Sequence, residues 1–397
     1  MALFGFGSLI TIKAQSSPQN AARYFSEHLS HDDYYTEKEQ TVGRWYGKTC
    51  DSLGIQAESP VEKKQFAALC KGFHPDGQTK LTQRQKENRR CLYDLTVSAP
   101  KSVSIMALVG GDARLIAAHE KAVTAALEAA EDLARVRVRK GAAASTNQRR
   151  PTGNLIAARF QHKESRALDP QLHTHCIVFN VTHDPVEKRL KALDARTLYD
   201  QSNQLTQTYR DHLTKSLRKL GYETRLDQHK CPQILGVDES LIDLFSKRGR
   251  SIAQKVTARE TKLGRKLNNN EISVLAHTGR DKKQPRIAPE YVRQIQLGQV
   301  PREARLELEN IKERSQNPPA PRPPLIHTPA APGVNWIAVV RLALRVARTV
   351  DINPYLFTPT QSFPDRVCTA ARFLRHVQRT QVYLRSAQRT RTRGLSR

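Results

Sequence analysis

Residues 160–182 read FQHKESRALDPQLHTHCIVFNVT, and the folding of this stretch decides how the rest is arranged. His173 and His175 stand two apart in a run that alternates and then turns apolar through Cys176, Ile177, Val178 and Phe179, the pattern of a half-buried strand. Residues i and i+2 of a strand point to one face, so two imidazoles emerge side by side. The apolar stretch Leu155 to Phe160 predicts a second strand, and Ala167 to Gln171, with Asp169 and Pro170, has turn chemistry. Antiparallel pairing through that turn brings His162 beside the other two histidines. Three neutral imidazoles on one sheet make a metal site with open coordination positions, the arrangement of catalytic rather than structural centres. A lone His-x-His is common on strands that bind nothing; the third histidine at hairpin distance favours the metal. None of the six cysteines forms a C-x-x-C pair, so no zinc ribbon competes for the ion.

The chain has 397 residues, room for one large domain or two. Its formal net charge of +27 calls for a polyanionic partner and points to nucleic acid. An anionic membrane surface would also attract such a charge, but no apolar run is long enough for stable membrane insertion. Met1 to Ile10 lacks the basic leader and cleavage pattern of a signal peptide, so a cytoplasmic protein with free thiols is expected. From Gln316 to the end there are thirteen arginines, no lysine and two acids, Asp351 and Asp365. Pro318 to Pro332 reads as an extended proline-rich linker. Beyond it Arg341, Arg345 and Arg348 fall on one helical face, suited to DNA or a membrane surface. The chain thus divides into a domain over 1–315, a linker over 316–333 and an arginine-rich tail over 334–397.

Within the domain, Leu9 to Ala14 has strand composition, and Ser16 to Gln19 reads as a helix start with Pro18 in the first turn. Trp45 and Leu53 read as core. Val61 to Lys71 has helical spacing and stops at Gly72; Pro75 to Gly77 is a turn. Leu92 to Val97 predicts a strand, Ala113 to Leu133 an amphipathic helix, and Val136 to Val138 the start of another strand. Gly141 to Gly153 reads as a mobile basic loop, in which Arg149 and Arg150 are candidate DNA contacts. Leu193 to Leu220, Val237 to Phe245 and Ile252 to Leu263 predict helices, and Ala276 to Lys283 a basic turn. Strands and helices in this order give an α+β fold, an antiparallel sheet flanked by helices.

Two stretches carry a resemblance to a known family. His162, Ser165-Arg166, Asp169 to Leu172, His173-Thr174-His175 and Asn180-Val181-Thr182 closely resemble the three-histidine motif of the MobF conjugative relaxases, the TrwC/TraI type within the HUH endonucleases. The run YDLTVSAPKSVS, residues 93–104, resembles a second motif of that family, and Arg44 to Gly54 a third. The likeness is faint towards Ser315. It implies an HUH palm-like sheet with helical fingers, and His162, His173 and His175 as the metal ligands. It assigns Asp94 the hydrogen bond that orients a ligand histidine and helps to orient or deprotonate a tyrosine, as a metal-bound imidazole requires of its other N–H. By themselves Tyr24, Tyr34 and Tyr35 read as amphipathic surface residues. The resemblance makes Tyr24 the first nucleophile and Tyr34, with Tyr35 beside it, the second. Phe25 replaces the usual second tyrosine of the first pair, and the gap between the pairs is longer than is typical. Met1 to Ser8 lies ahead of the resemblance and reads as an upstream extension.

The reaction so implied is nicking of one DNA strand at an origin of transfer through a 5′ phosphotyrosyl link, followed by rejoining. Lys101 and Arg166 are further candidates for phosphate contacts, each equally readable as an ordinary basic residue at a helix start or in a turn. Three imidazoles favour Zn²⁺, copper or Ni²⁺, whereas cellular supply and the hard phosphate oxygen favour Mg²⁺ or Mn²⁺, which the family is taken to use. MobF relaxases usually continue into a helicase with a phosphate loop, and no G-x-x-x-x-G-K-[ST] is found here. A helicase supplied by another protein and conjugation accessory proteins are the expected partners, with single-stranded origin DNA. The arginine-only tail fits a gene truncated and read out of its ancestral frame. A rolling-circle replication initiator of the HUH class, a decayed factor that binds DNA without cutting, and a hydrolytic metal nuclease are the alternatives. HUH initiators usually place the tyrosine after the histidines, which favours the relaxase.

Overall fold

A computed structural model of the chain describes residues 9–18, 43–82, 89–138, 148–278 and 287–317. Its strands are β1 (Ile10–Gln15), β2 (Arg44–Tyr46), β3 (Leu92–Ser98), β4 (Arg135–Val138), β5 (Gln148–Pro151), β6 (Ala157–Glu164), β7 (Pro170–Phe179), β8 (Thr182–Asp184), β9 (Arg189–Lys191), β10 (Thr224–Leu226) and β11 (Pro232–Ile234). The described helices are α1 (Lys63–Lys71), α2 (Lys101–Leu108), α3 (Ala113–Asp132), α4 (Arg196–Asp200), α5 (Ser202–Lys219), α6 (Glu239–Leu244), α7 (Lys247–Leu263), α8 (Asn269–Thr278), α9 (Pro289–Gln299) and α10 (Arg302–Gln316). Five strands join in the order β1-β3-β7-β6-β2, every neighbouring pair antiparallel. The remaining six form three two-stranded ribbons.

The sheet is covered on both faces, which is why its central strands carry apolar runs rather than strict alternation. Tyr93, Leu95, Val97, Leu172, Cys176 and Val178 belong to one core with α2, α3 and α5. Leu92, Ala158, Phe160, Ile177 and Phe179 face a second core closed by Trp45, Leu53, Phe66 and Leu69. Phe66 meets Phe179 edge to face at 5.2 Å, an arrangement that aromatic pairs prefer. The apolar rows of this second face run out towards the β6–β7 turn, and the three histidines take over there. Ile177, two residues from His175 and fully buried, is the last aliphatic side chain before them. Shortening it to valine should lower the stability to unfolding by about 0.5–1.5 kcal/mol, read from denaturant unfolding. A loss several times larger would mean that the sheet does not tolerate even one missing methyl at this point.

The sequence reading holds for β1, β3, α1 and α3, and for the α+β class. Gly72 ends α1 at φ 84°, a left-handed conformation that a glycine adopts without strain. Elsewhere the structure departs from it. β6 begins two residues after Leu155 and runs on to Glu164, so His162 stands on the strand itself. Arg149 and Arg150 lie on β5, paired with β4, not on a loop. The helix expected over 193–220 is two, broken at Gln201. Residues expected to start a basic turn at Ala276 are the last turn of α8. The helices α9 and α10 and the ribbons β8–β9 and β10–β11 were not anticipated. Contacts divide the chain into Met1–Pro319 and Ala320–Arg397, and all the described residues lie in the first unit. The linker beyond Asn317 and the arginine-rich tail lie outside the described residues.

Candidate metal centre

His173 and His175 share a face of β7, and the register sets His162 of β6 directly opposite His173. The three rings form a nearly equilateral triangle, their centres 5.2, 5.3 and 5.4 Å apart. An ion about 2.0–2.1 Å from one nitrogen of each ring would leave the ring centres roughly 5 Å apart. The spacing fits, but the rings of His162 and His173 stack with only 23° between their planes, so their edges run alongside each other. Among the described residues no three donor atoms yet converge on one point. Backbone register fixes the Cα positions of the three histidines, and rotation about the side-chain torsions redirects the rings without moving the strands.

Two of the rings are oriented from behind. The Nδ1–H of His175 faces the Asp94 carboxylate at 2.9 and 3.0 Å, and the Thr96 hydroxyl lies 3.1 Å from the same nitrogen and 3.2 Å from Asp94 Oδ1. Register explains the meeting: Thr96 is directly across from His175, and Asp94 is two residues along the same face of β3. Asp94 is only 6% exposed, so its charge is held where an imidazole N–H answers it. His173 Nδ1 lies 2.9 Å from the Gln171 carbonyl, which only an N–H can satisfy. With Nδ1 protonated in both rings, their Nε2 atoms keep the lone pairs that a metal takes. Burial, then the neighbouring His175, pushes the His173 pKa down to about 4, so the ring is neutral at pH 7 as a ligand must be.

Behind β7, Thr174 Oγ1 meets His119 Nε2 at 3.0 Å, and His119 Nδ1 meets the Tyr209 hydroxyl at 2.7 Å. This hydrogen-bonded chain is buried within the first core and backs the segment between His173 and His175. Burial pushes the His119 pKa down to about 3. In the unfolded chain a histidine binds its proton near pH 6.5. Between about pH 6.5 and 3 the unfolded state therefore holds more protons than the folded one, and stability falls as the pH falls through that window. Denaturant unfolding across it should show this loss, and less of it in a His119→Gln chain. Equal losses in both chains would remove His119 as a cause.

The other expected site residues are placed as follows. Tyr24, Tyr34 and Tyr35 lie outside the described residues. Lys101 is turned inward: its ammonium donates to the Pro170 carbonyl at 3.0 Å and to Gln171 Oε1 at 2.7 Å, and burial pushes its pKa down to about 8. Arg149 pairs with Asp194 at 2.9 Å, and Arg150 with Asp184 and Glu187, so both guanidinium groups are engaged by acids of the fold. Arg166 is exposed on the β6–β7 turn. Thr96, the Gln171 carbonyl and the Thr174–His119–Tyr209 chain were not foreseen. Of these, only Thr96 carried a signal, two residues after Asp94 on one strand face.

Residues 18–299 match the TrwC relaxase family. The Multifunctional conjugation protein TraI of Escherichia coli (strain K12) is 38% identical over 239 residues, 56% of this chain and 13% of that protein. A second Escherichia coli TraI sequence matches to the same extent. This chain therefore spans only about an eighth of the length of those relatives, 13%. Among solved structures, the metal-bound conjugative relaxase TrwC in complex with oriT DNA superposes with a TM-score of 0.63 at 31% identity, over 73% of this chain and 96% of that one. A copper-bound TrwC complex with oriT DNA gives 0.64 at 31% identity, over 73% and 97%. TrwC with a 27-mer comprising the recognition hairpin and the cleavage site gives 0.62 at 28%, over 73% and 96%.

Proposed function

This chain belongs to the TrwC relaxase family, and from that premise we propose that it is a conjugative relaxase, a DNA strand transferase that nicks and rejoins one strand at an origin of transfer. The observation that carries the reading is the histidine triangle braced by Asp94. Such a centre suits a phosphodiester, whose cleavage needs a nucleophile, neutralised non-bridging oxygens and a stabilised leaving oxygen. A divalent ion held by His162, His173 and His175 would supply Lewis acidity and a template for the scissile phosphate. The imidazole donors suit Zn²⁺, Cu²⁺ or Ni²⁺, and phosphate chemistry suits Mg²⁺ or Mn²⁺.

The nucleophile is Tyr24, with Tyr34 or Tyr35 available for a second cleavage. The Tyr24 phenolic oxygen bonds to phosphorus as the bond from phosphorus to the 3′ oxygen breaks. This leaves a 5′ phosphotyrosyl strand and a 3′ hydroxyl, the phenolic proton having passed to a base and the 3′ oxygen having gained one. Asp94 holds the Nδ1 proton of His175 in place and is the candidate acceptor for the phenolic proton. The phosphodiester energy is kept in the covalent link, so attack by a 3′ hydroxyl reverses the step and rejoins the strand. Arg166, exposed at the hairpin tip, is the best placed of the proposed phosphate contacts. Lys101, Arg149 and Arg150 retain that role only by giving up their present partners. The proposed partners are single-stranded oriT DNA, a separate helicase and conjugation accessory proteins, in the cytoplasm. No described helix is long and apolar enough to cross a membrane.

Incubation of the full chain and Mn²⁺ with labelled single-stranded oligonucleotides from the flanking DNA tests the reading on a denaturing gel. A shifted band that EDTA prevents is the expected result. Tight binding without an adduct would identify a DNA-binding factor that no longer cuts, and cleavage without an adduct a hydrolytic nuclease. No observation favours a rolling-circle initiator over the relaxase.

A further inference from the structure

The β6–β7 register slips just beyond the histidines. His162 faces His173, but Glu164 faces Pro170, so β7 has one residue more than β6 in that interval. The surplus falls at Gln171 and Leu172, and a bulge of this kind breaks the ladder that would otherwise hold the strand. Yet the Gln171 carbonyl is the group that orients His173. Side chains from outside the hairpin hold the slipped segment. Lys101, at the start of α2, donates to the Pro170 carbonyl at 3.0 Å and to Gln171 Oε1 at 2.7 Å. Ser104 of α2 accepts the Leu172 N–H at 3.1 Å, and Ala99 donates its N–H to the Leu172 carbonyl at 2.9 Å.

The tip of the hairpin is held from a second direction. Leu168 sits at φ 60°, a left-handed conformation that a leucine rarely adopts, and its carbonyl accepts from Gln296 of α9 at 2.9 Å. Asp169 is 2% exposed, and its carboxylate accepts the backbone N–H of Lys247, the first residue of α7, at 3.0 Å. The Lys247 ammonium lies 3.0 Å from the other carboxylate oxygen and donates to Gln299 of α9 at 2.9 Å. A buried carboxylate answered by a lysine and a helix N-terminus is a strong tie. Nothing in the hairpin's own ladder requires it.

We propose that Lys101 and the Asp169–Lys247 pair are positioning residues of the metal centre: they fix the slipped segment Pro170–Leu172, and through the Gln171 carbonyl they set the angle of the His173 ring. Because Lys247 starts α7 and shares its ammonium with α9, the seating of those helices and the geometry of the ligands are one variable. Whatever draws α7 and α9 away from the hairpin loosens the hold on the ion. The inference rests on His162, His173 and His175 being ligands, and it assigns the two lysines to the ion rather than to DNA.

The test uses the full chain with Mn²⁺ affinity, the visible spectrum of bound Co²⁺ and thermal melting measured side by side. Lys101→Met and Lys247→Met should each weaken Mn²⁺ binding by about tenfold, the lower end of what loss of outer-shell support does, and change the Co²⁺ spectrum. Lys247→Arg, which keeps the pair with Asp169, should bind Mn²⁺ within about twofold of the unaltered chain. Folded Lys101→Met and Lys247→Met chains with unaltered Mn²⁺ affinity and Co²⁺ spectrum would overturn the proposal, even if both melt earlier, because support of the fold alone predicts that pattern. Should Lys101→Met not fold, Lys247→Met decides, since the Lys247 side chain is 36% exposed and Lys247→Arg gives a second variant that keeps the charge facing Asp169. His173→Ala separates the two readings. If it binds Mn²⁺ as well as the unaltered chain, the histidines are not the ligands, and the positioning proposal falls with them.

Discussion

Replacing Tyr24 with phenylalanine should leave DNA binding intact and cut the covalent DNA adduct to less than about one part in 10³ of the unaltered chain. The phenyl ring keeps the shape and apolar contacts of tyrosine and removes only the oxygen that bonds to phosphorus. No neighbour can substitute without its own hydroxyl in line with the scissile bond. Tyrosine ionises near pH 10, so the reaction at pH 7 depends on positioning and on a base, and a misplaced phenol contributes little. If the adduct persists in the phenylalanine chain, the first cleavage belongs to Tyr34 or Tyr35, and their phenylalanine replacements would identify which. Phe25, already lacking the oxygen, makes the assay easier to interpret, because the first tyrosine pair has a single candidate.

His175→Ala is expected to weaken Mn²⁺ binding by more than about 100-fold and to abolish the adduct with it. Losing an outer-shell partner alone costs about 10–100-fold in affinity, and this change removes a proposed ligand together with the N–H that faces Asp94. The buried carboxylate is then left with less to answer its charge, so the melting temperature should fall as well. Calorimetric titration of the variant beside the unaltered chain gives the affinity, and a thermal melt of each gives the melting temperature. Wild-type affinity in the alanine chain would mean that the ion binds elsewhere and that the Asp94–His175 contact serves only the fold.

The histidine cluster was legible because its signal is short-range. Two histidines at a spacing of two cannot avoid sharing a strand face, and a turn-rich segment of a few residues fixes where the third must come. Asp94 is a different case. It lies 81 residues from His175 in the chain, and only the pairing of β3 with β7 joins them, which periodicity does not reveal. Resemblance to a family supplied that residue. The partners of the lysines and arginines were illegible for a related reason: a sequence shows that Lys101, Arg149 and Arg150 are cationic but not that carbonyls and carboxylates from distant segments surround them. Helices α9 and α10 went unread because most of their residues are charged or polar, and they bury little beyond Val292, Gln296, Leu308 and Ile311. The bulge in β7 has no compositional mark at all. It arises from the counts of residues on two strands, which only the paired structure displays.

The position of β7 in the middle of the sheet, covered on both faces, bears on how the ion comes and goes. Amide hydrogens from Thr174 to Phe179 should exchange with deuterated solvent only when the whole domain opens, and an ion that binds the folded chain should slow that exchange further. The backbone that carries the histidines would therefore stand before an ion arrived and after it left. Capture then asks for little more than the turning of imidazoles, in contrast to small metal domains whose folding waits on the ion. Three imidazoles in such a frame would favour Cu²⁺, Ni²⁺ and Zn²⁺ at equal supply, so occupancy by Mg²⁺ or Mn²⁺ would depend on their excess in the surrounding pool.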